Sequence, residues 1–169
     1  GFNDNWHGVN GPLHVSGVGR RCQLTEDYIL AAQGLGIAYN PDFNGARQAG
    51  VGTMQYTTWK NRRWNGVQAF LDPIRSHPKF TVETDATVHK LILEGGRCVG
   101  VSYVQSGQTK TARCNAEVLL AAGAYNSPKL LMLSGLGPAE QLQKFGIKPV
   151  VDLKGVGENL QDHHEVPVV

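Results

Sequence analysis

Four consecutive ionisable side chains, Asp162, His163, His164 and Glu165, form the densest group of chemically able residues in the chain. Side chains alternate between faces along an extended segment, so His163 and Glu165 share one face and His164 lies on the other. An imidazole and a carboxylate aimed at a common space orient a substrate and bias its charge. A metal would need further ligands from elsewhere, and Cys22, Cys98 and Cys114 are too far apart for zinc-ligand spacing, so no metal site is expected. A polar surface turn accounts for the same four residues without any chemistry.

The second candidate is a backbone rather than a set of side chains. EVLLAAG (117–123) is a short apolar run that suits a strand buried on both faces, and it leads into GAYNSPKLLMLSGLGP (123–138). Gly123 permits a tight turn and close approach of a ligand. Ser127 is placed as an N-cap and Pro128 as the first helical residue. Leu130, Leu131 and Leu133 give the helix an apolar face, and Ser134 with Gly135 stops it. Free N–H groups at such a helix start, with the dipole behind them, favour a pyrophosphate or another anion. A purely structural strand-turn-helix remains the alternative on local grounds. The glycine pairs Gly17/Gly19, Gly50/Gly52 and Gly155/Gly157 lack the strand, long helix and third glycine of a phosphate loop and read as turns. A principal phosphate loop, if there is one, lies outside this chain.

Positioning these groups requires elements on both sides. A short strand is expected at 13–15 and a helix at 25–33 behind a Thr25 cap, closed by Gly34 and Gly36. A long Asn/Gly/Pro/Asp-rich loop covers 37–52, followed by strand character at 53–59 and a helix at 65–75 ending before Pro78. From Phe80 the pattern turns to successive strands, FTVETD, ATVHKLILE, CVGVSYVQ, TKTARC and EVLLAAG, with hairpin turns at Gly95-Gly96 and Ser106-Gly107. Three antiparallel strands between a helical layer and a returning apolar strand read as an insertion into a larger sheet. A second short helix spans 138–144, between Gly137 and Gly146.

At 169 residues, 41% hydrophobic and 18% charged, the chain is ordinary for a folded soluble protein. A net charge of +2 is too small to imply nucleic acid or a membrane surface as a partner. The basic cluster Lys60, Arg62 and Arg63, flanked by Trp59 and Trp64, reads as an exposed turn before a helix rather than a binding patch. An odd number of dispersed cysteines argues against a disulfide framework and for a reducing, cytoplasmic home. No apolar run reaches membrane-spanning length. The start without methionine and the apolar ending VPVV raise the expectation of a segment from a longer protein.

Together these residues resemble the glucose-methanol-choline (GMC) oxidoreductases, flavoenzymes that oxidise alcohols. Residues 123–137 are similar to that family's second signature, with Ser127, Pro128, Ser134, Gly135 and Gly137 at its marked positions. HGVNGPL, DFNG with a following glutamine, the Arg63-containing turn, AFLDP and GVGENLQDH occur in the family's order, so the resemblance covers essentially the whole chain.

The resemblance implies a mixed α/β and α+β fold, the central part of a GMC flavoenzyme, with FAD as cofactor. It places 1–78 in a substrate-binding domain, 79–162 in the FAD-binding domain with its antiparallel insertion, and 163–169 at the start of a substrate-domain strand. Val88 would meet the adenine through its backbone, Ala122 and Gly123 would lie along the ribose and pyrophosphate, and Ser127 belongs to the same cofactor set. His163 and Glu165 match an Asp-His-x-Glu arrangement of choline-oxidising members, whose glutamate faces a trimethylammonium group. His164 stands where proline is common there, and Asn65 where serine is usual. The catalytic histidine and its partner are expected C-terminal to these residues, so the chain holds no catalytic residue and should be inert by itself. Its partners are then a small alcohol and the flanking parts of the same enzyme. A non-catalytic module that keeps the FAD fold as a binding scaffold is the rival reading.

Overall fold

The computed structural model describes residues 5–164. The chain divides into two compact units, one ending at Val82 and the other beginning at Glu83.

In the first unit, helix α1 (Gln23–Gly34) starts two residues before the expected position. Cys22 is the N-cap residue; its carbonyl accepts from Thr25 and Glu26 N–H at 3.1 and 3.3 Å. Thr25 lies inside the first turn, with its hydroxyl 3.2 Å from the Cys22 sulfur. At the other end Gly36 takes φ +84°, its N–H reaches Gln33 O, and Ile37 N–H reaches Ala32 O. That pair of bonds satisfies the last carbonyls of the helix. Ile29 and Ala32 bury their side chains against Val51.

The long loop at 37–52 is held by its own polar residues. Asn40 is buried, and its side-chain amide donates to Arg47 O at 2.7 Å and to Ala49 O at 3.3 Å. Gln55 donates to Asp42 Oδ1 at 2.8 Å and accepts from Asn44 at 2.7 Å, which fastens the loop to the segment after it.

Strands in this unit are shorter than expected. The 13–15 strand is absent; a lone antiparallel bridge joins Ser16 to Tyr56 instead, because Pro12 lacks a donor and Gly17 and Gly19 do not sustain a strand. The 53–59 segment contracts to β1 (Thr58–Trp59), paired with β2 (Arg62–Arg63) across Lys60 and Asn61. The expected 65–75 helix is an irregular one, a π-helical turn over Val67–Leu71 and a 3-10 turn over Asp72–Ile74. Pro73 supplies no N–H for a regular continuation.

The second unit is built on a three-stranded antiparallel sheet of β3 (Thr87–Glu94), β4 (Arg97–Gln105) and β5 (Gln108–Arg113), with β4 in the centre. Both expected two-residue turns form, with φ of +56° and +79° at Gly95-Gly96 and +51° and +74° at Ser106-Gly107. These positive values match the twist of the flanking strands. The expected 80–85 strand does not form; Asp85 sits at φ +54°, and the Gln105 amide holds Glu83 and Thr84 from the side.

Segment 117–121 has no ladder pairing among the described residues, so the strand expected there is an extended run with Leu119 81% exposed. A strand needs a neighbour's edge, and no described element offers one to it. Helix α2 (Gly123–Leu133) follows and packs on β3 through buried Leu130 and Leu91. Beyond it β6 (Leu136–Gly137), α3 (Ala139–Lys144) and β7 (Val151–Asp152) make a small parallel unit around fully buried Leu142. Asp152 Oδ1 accepts from Ala139 N–H at 3.0 Å and so fixes α3 to β7. The mixture of helices with an antiparallel sheet agrees with the α+β reading of the sequence.

Candidate cofactor-binding site

Helix α2 begins at Gly123, five residues before the Ser127–Pro128 start read from the sequence. Ala122 is the N-cap residue, and Pro128 falls inside the helix. Ser127 instead turns its hydroxyl back, and its Oγ accepts from Ala122 N–H at 3.1 Å. The local preference of Ser-Pro for a helix start is outweighed because that bond lets the preceding turn wind as helix. Ser127 is therefore a fastener of the turn that carries Ala122 and Gly123.

Gly123 has φ +86°, and a Cβ there would meet no atom within 4 Å. Its conformation excludes other residues, while the space beside it is open. The first N–H groups of an eleven-residue helix have no partners within the helix and carry the positive end of its dipole. An anion brought up to Gly123 meets these donors without steric hindrance. The residues fit a pyrophosphate on this ground.

A cleft of about 660 Å³ opens along the same helix, lined by Ala124, Tyr125, Pro128 and Met132 on α2 and by 157–161. Gly157 at φ +85° and Asn159 at +55° bend that segment, and a Cβ on Gly157 would stand 3.3 Å from the Met132 methyl. The GVGENLQ segment and the signature helix, more than twenty residues apart in sequence, thus form opposite walls of one cleft. Tyr125, Pro128 and Met132 were not among the sequence candidates. Their i, i+3, i+7 spacing on one helix face was the signal that could have found them. The apolar face expected from Leu130, Leu131 and Leu133 is narrower, since Leu133 is exposed.

Val88 lies on edge strand β3 opposite Tyr103, beside the irregularity that leaves His89 outside the register. His163 is exposed, two residues past the cleft wall, with its N–H bonded to Asp162 Oδ1 at 2.8 Å. Glu165 lies outside the described residues. Among the described residues no cluster of His, Cys, Asp and Glu could hold a metal, and all three cysteines are free thiols.

The family model for GMC oxidoreductases matches residues 2–165, and the chain belongs to that family. It is 42% identical over 165 residues to an oxygen-dependent choline dehydrogenase of Sinorhizobium medicae, covering 98% of this chain and 30% of that protein. It is 43% identical over 163 residues to the mitochondrial choline dehydrogenase of Mus musculus, covering 96% of this chain and 27% of that protein. Among solved structures it resembles an FAD-dependent oxidoreductase from Chaetomium thermophilum, with TM-score 0.86 and 30% identity over 92% of this chain and 27% of the other. Pyridoxine 4-oxidase from Mesorbium loti superposes with TM-score 0.80 and 28% identity over 88% of this chain and 29% of the other. The chain spans less than a third of the length of these relatives.

Proposed function

We propose that these residues form the central part of an FAD-dependent alcohol oxidoreductase acting on choline or a related cationic alcohol. The observation that carries the reading is the open start of α2 at Gly123 beside the cleft walled by 157–161. Bound FAD supplies the acceptor for the hydride that leaves the alcohol's carbinol carbon. Gly123 and Ala122 offer backbone to the pyrophosphate and ribose, Ser127 holds that turn in shape, and Val88 meets the adenine through its backbone. His163 and Glu165 face the substrate, where the carboxylate attracts a quaternary ammonium and a neutral alcohol gains nothing from it.

In this reading 1–78 belongs to the substrate-binding domain, 79–162 to the FAD domain and 163–169 to a returning substrate-domain strand. The base that takes the hydroxyl proton is a histidine C-terminal to these residues. A cytoplasmic setting accords with three free thiols. Among the described residues no helix is long and apolar enough to cross a membrane.

Gly123→Ala in the full-length protein tests the cofactor site. Forcing a Cβ into the left-handed conformation costs about 1–2 kcal/mol, and the added methyl stands where the ligand approaches, so FAD affinity should fall about tenfold or more. The flavin-to-protein ratio after gel filtration measures this, and full retention of FAD would overturn the assignment. A wild-type protein that takes up no FAD would favour the scaffold reading.

A further inference from the structure

The β1–β2 hairpin carries a second cleft, of about 480 Å³, lined by Trp59, Lys60, Arg62, Arg63, Trp64 and Gln68. Its aromatic floor is fixed in advance. His14 stacks on Trp59 with ring centroids 3.9 Å apart and 15° between planes, and meets Trp64 edge-on at 5.3 Å. The Trp64 indole N–H donates to Pro12 O at 2.8 Å, so its ring cannot turn away. Lys60 and Asn61 hold φ +48° and +59°, which closes the hairpin tightly and keeps the Lys60 ammonium 5.9 Å from the Trp59 ring. The register sets Trp59 directly opposite Arg62. Among the described residues no carboxylate pairs with Lys60, Arg62 or Arg63.

We propose that this cleft binds a small planar organic anion, of which an aromatic carboxylate is the minimal form. Three cations without a counter-charge select for an anion, and guanidinium groups suit a carboxylate in particular. Two immobilised indoles select for a flat apolar body, because stacking on a fixed ring costs little ordering. The volume falls within the range of about 300–1,000 Å³ common to small-molecule sites. The sequence alone favours a solvated turn for this segment. Exposure of the turn holds, and what the sequence does not reveal is the aromatic floor, since His14 and Pro12 come from more than forty residues away. A single-stranded nucleic acid needs a groove that follows its backbone over several nucleotides, and three cations at one hairpin do not supply one.

Isothermal titration of the flavin-loaded full-length protein with naphthoate, naphthamide, inorganic phosphate and a short single-stranded oligonucleotide tests the site. Naphthoate should bind saturably and both naphthamide and phosphate about tenfold more weakly, because each lacks one of the two recognised parts. The double variant R62Q/R63Q should lose about tenfold in naphthoate affinity at an unchanged thermal midpoint. If that variant unfolds early, K60Q alone decides, with a loss of about threefold expected. Equal binding of the amide, undiminished binding in the folded variants, or tighter binding of the oligonucleotide would each overturn the proposal.

Discussion

Ser134 shows how one side chain joins two elements. It is 2% exposed; its Oγ accepts from Leu91 N–H at 2.8 Å and donates to Leu130 O at 2.7 Å. Ser134→Ala leaves the Leu91 N–H buried without a partner and should cost about 1–3 kcal/mol, read as a lower urea midpoint at unchanged slope. The sequence presents Ser134 only as a helix stop, because its partner is 43 residues away. Gly135 and Gly146 make an informative contrast. Both have positive φ, but a Cβ on Gly135 would stand 2.7 Å from Lys148 O, whereas Gly146 faces open space. Gly146→Ala should cost about 1–2 kcal/mol from backbone strain alone, and Gly135→Ala distinctly more. Glu94 and Cys22 are among the exposed groups whose partners move them from their ordinary ranges. The hydrogen bond from Arg113 to Glu94, 2.7 Å long, holds the Glu94 carboxyl below the usual glutamate range. Whatever the pair contributes to stability is then complete above the unfolded-state pKa and is lost as pH falls through the folded value. An NMR titration should find Glu94 depressed in the wild type and normal in Arg113→Gln. The Thr25 hydroxyl likewise lowers the Cys22 thiol, so Thr25→Val should shift the pH profile of Cys22 alkylation upward.

At the scale of elements, legibility followed locality. Both hairpins of the β3–β4–β5 sheet were readable because Gly-Gly and Ser-Gly fix their turns from within. Ser106 is the weaker choice at φ +51°, and Ser106→Asn should raise stability by about 0.5 kcal/mol, visible as a higher thermal midpoint. The helix at α3 was readable for the same reason. The strands expected at 13–15, 80–85 and 117–123 were not, since a strand's existence depends on a neighbour that its own residues do not specify. The start of α2 failed differently. Ser127 and Pro128 carry the local chemistry of a helix start, yet the Ser127 hydroxyl bonds Ala122 N–H and the helix winds from Gly123. Ala122 and Gly123 become the N-cap and first residue of the helix, and Ser127 changes from a cap to a brace.

For the molecule as a whole, family membership was legible because a co-linear series of motifs spans the chain. The walls of the α2 cleft were only half legible: GVGENLQDH stands out as a motif of the family's order, but its seat against Tyr125 and Met132 depends on residues distant in sequence. If the base lies C-terminal to these residues, the 169-residue chain supplied with FAD should reduce no dye in the presence of an alcohol; alcohol-dependent reduction would refute that placement. On the proposed reading that Glu165 faces a cationic alcohol, Glu165→Gln in the full-length protein should lower kcat/KM for choline about thirtyfold and leave its neutral carbon isostere nearly unchanged. The extended run at 117–121 has a consequence for handling the chain rather than for its chemistry. Its backbone donors and acceptors have no ladder partner among the described residues and lie next to an exposed Leu119, which is the template for strand-to-strand pairing between copies. Light scattering by the 169-residue chain should therefore rise with concentration, and Leu119→Lys, which places a charge on that edge, should keep it monodisperse.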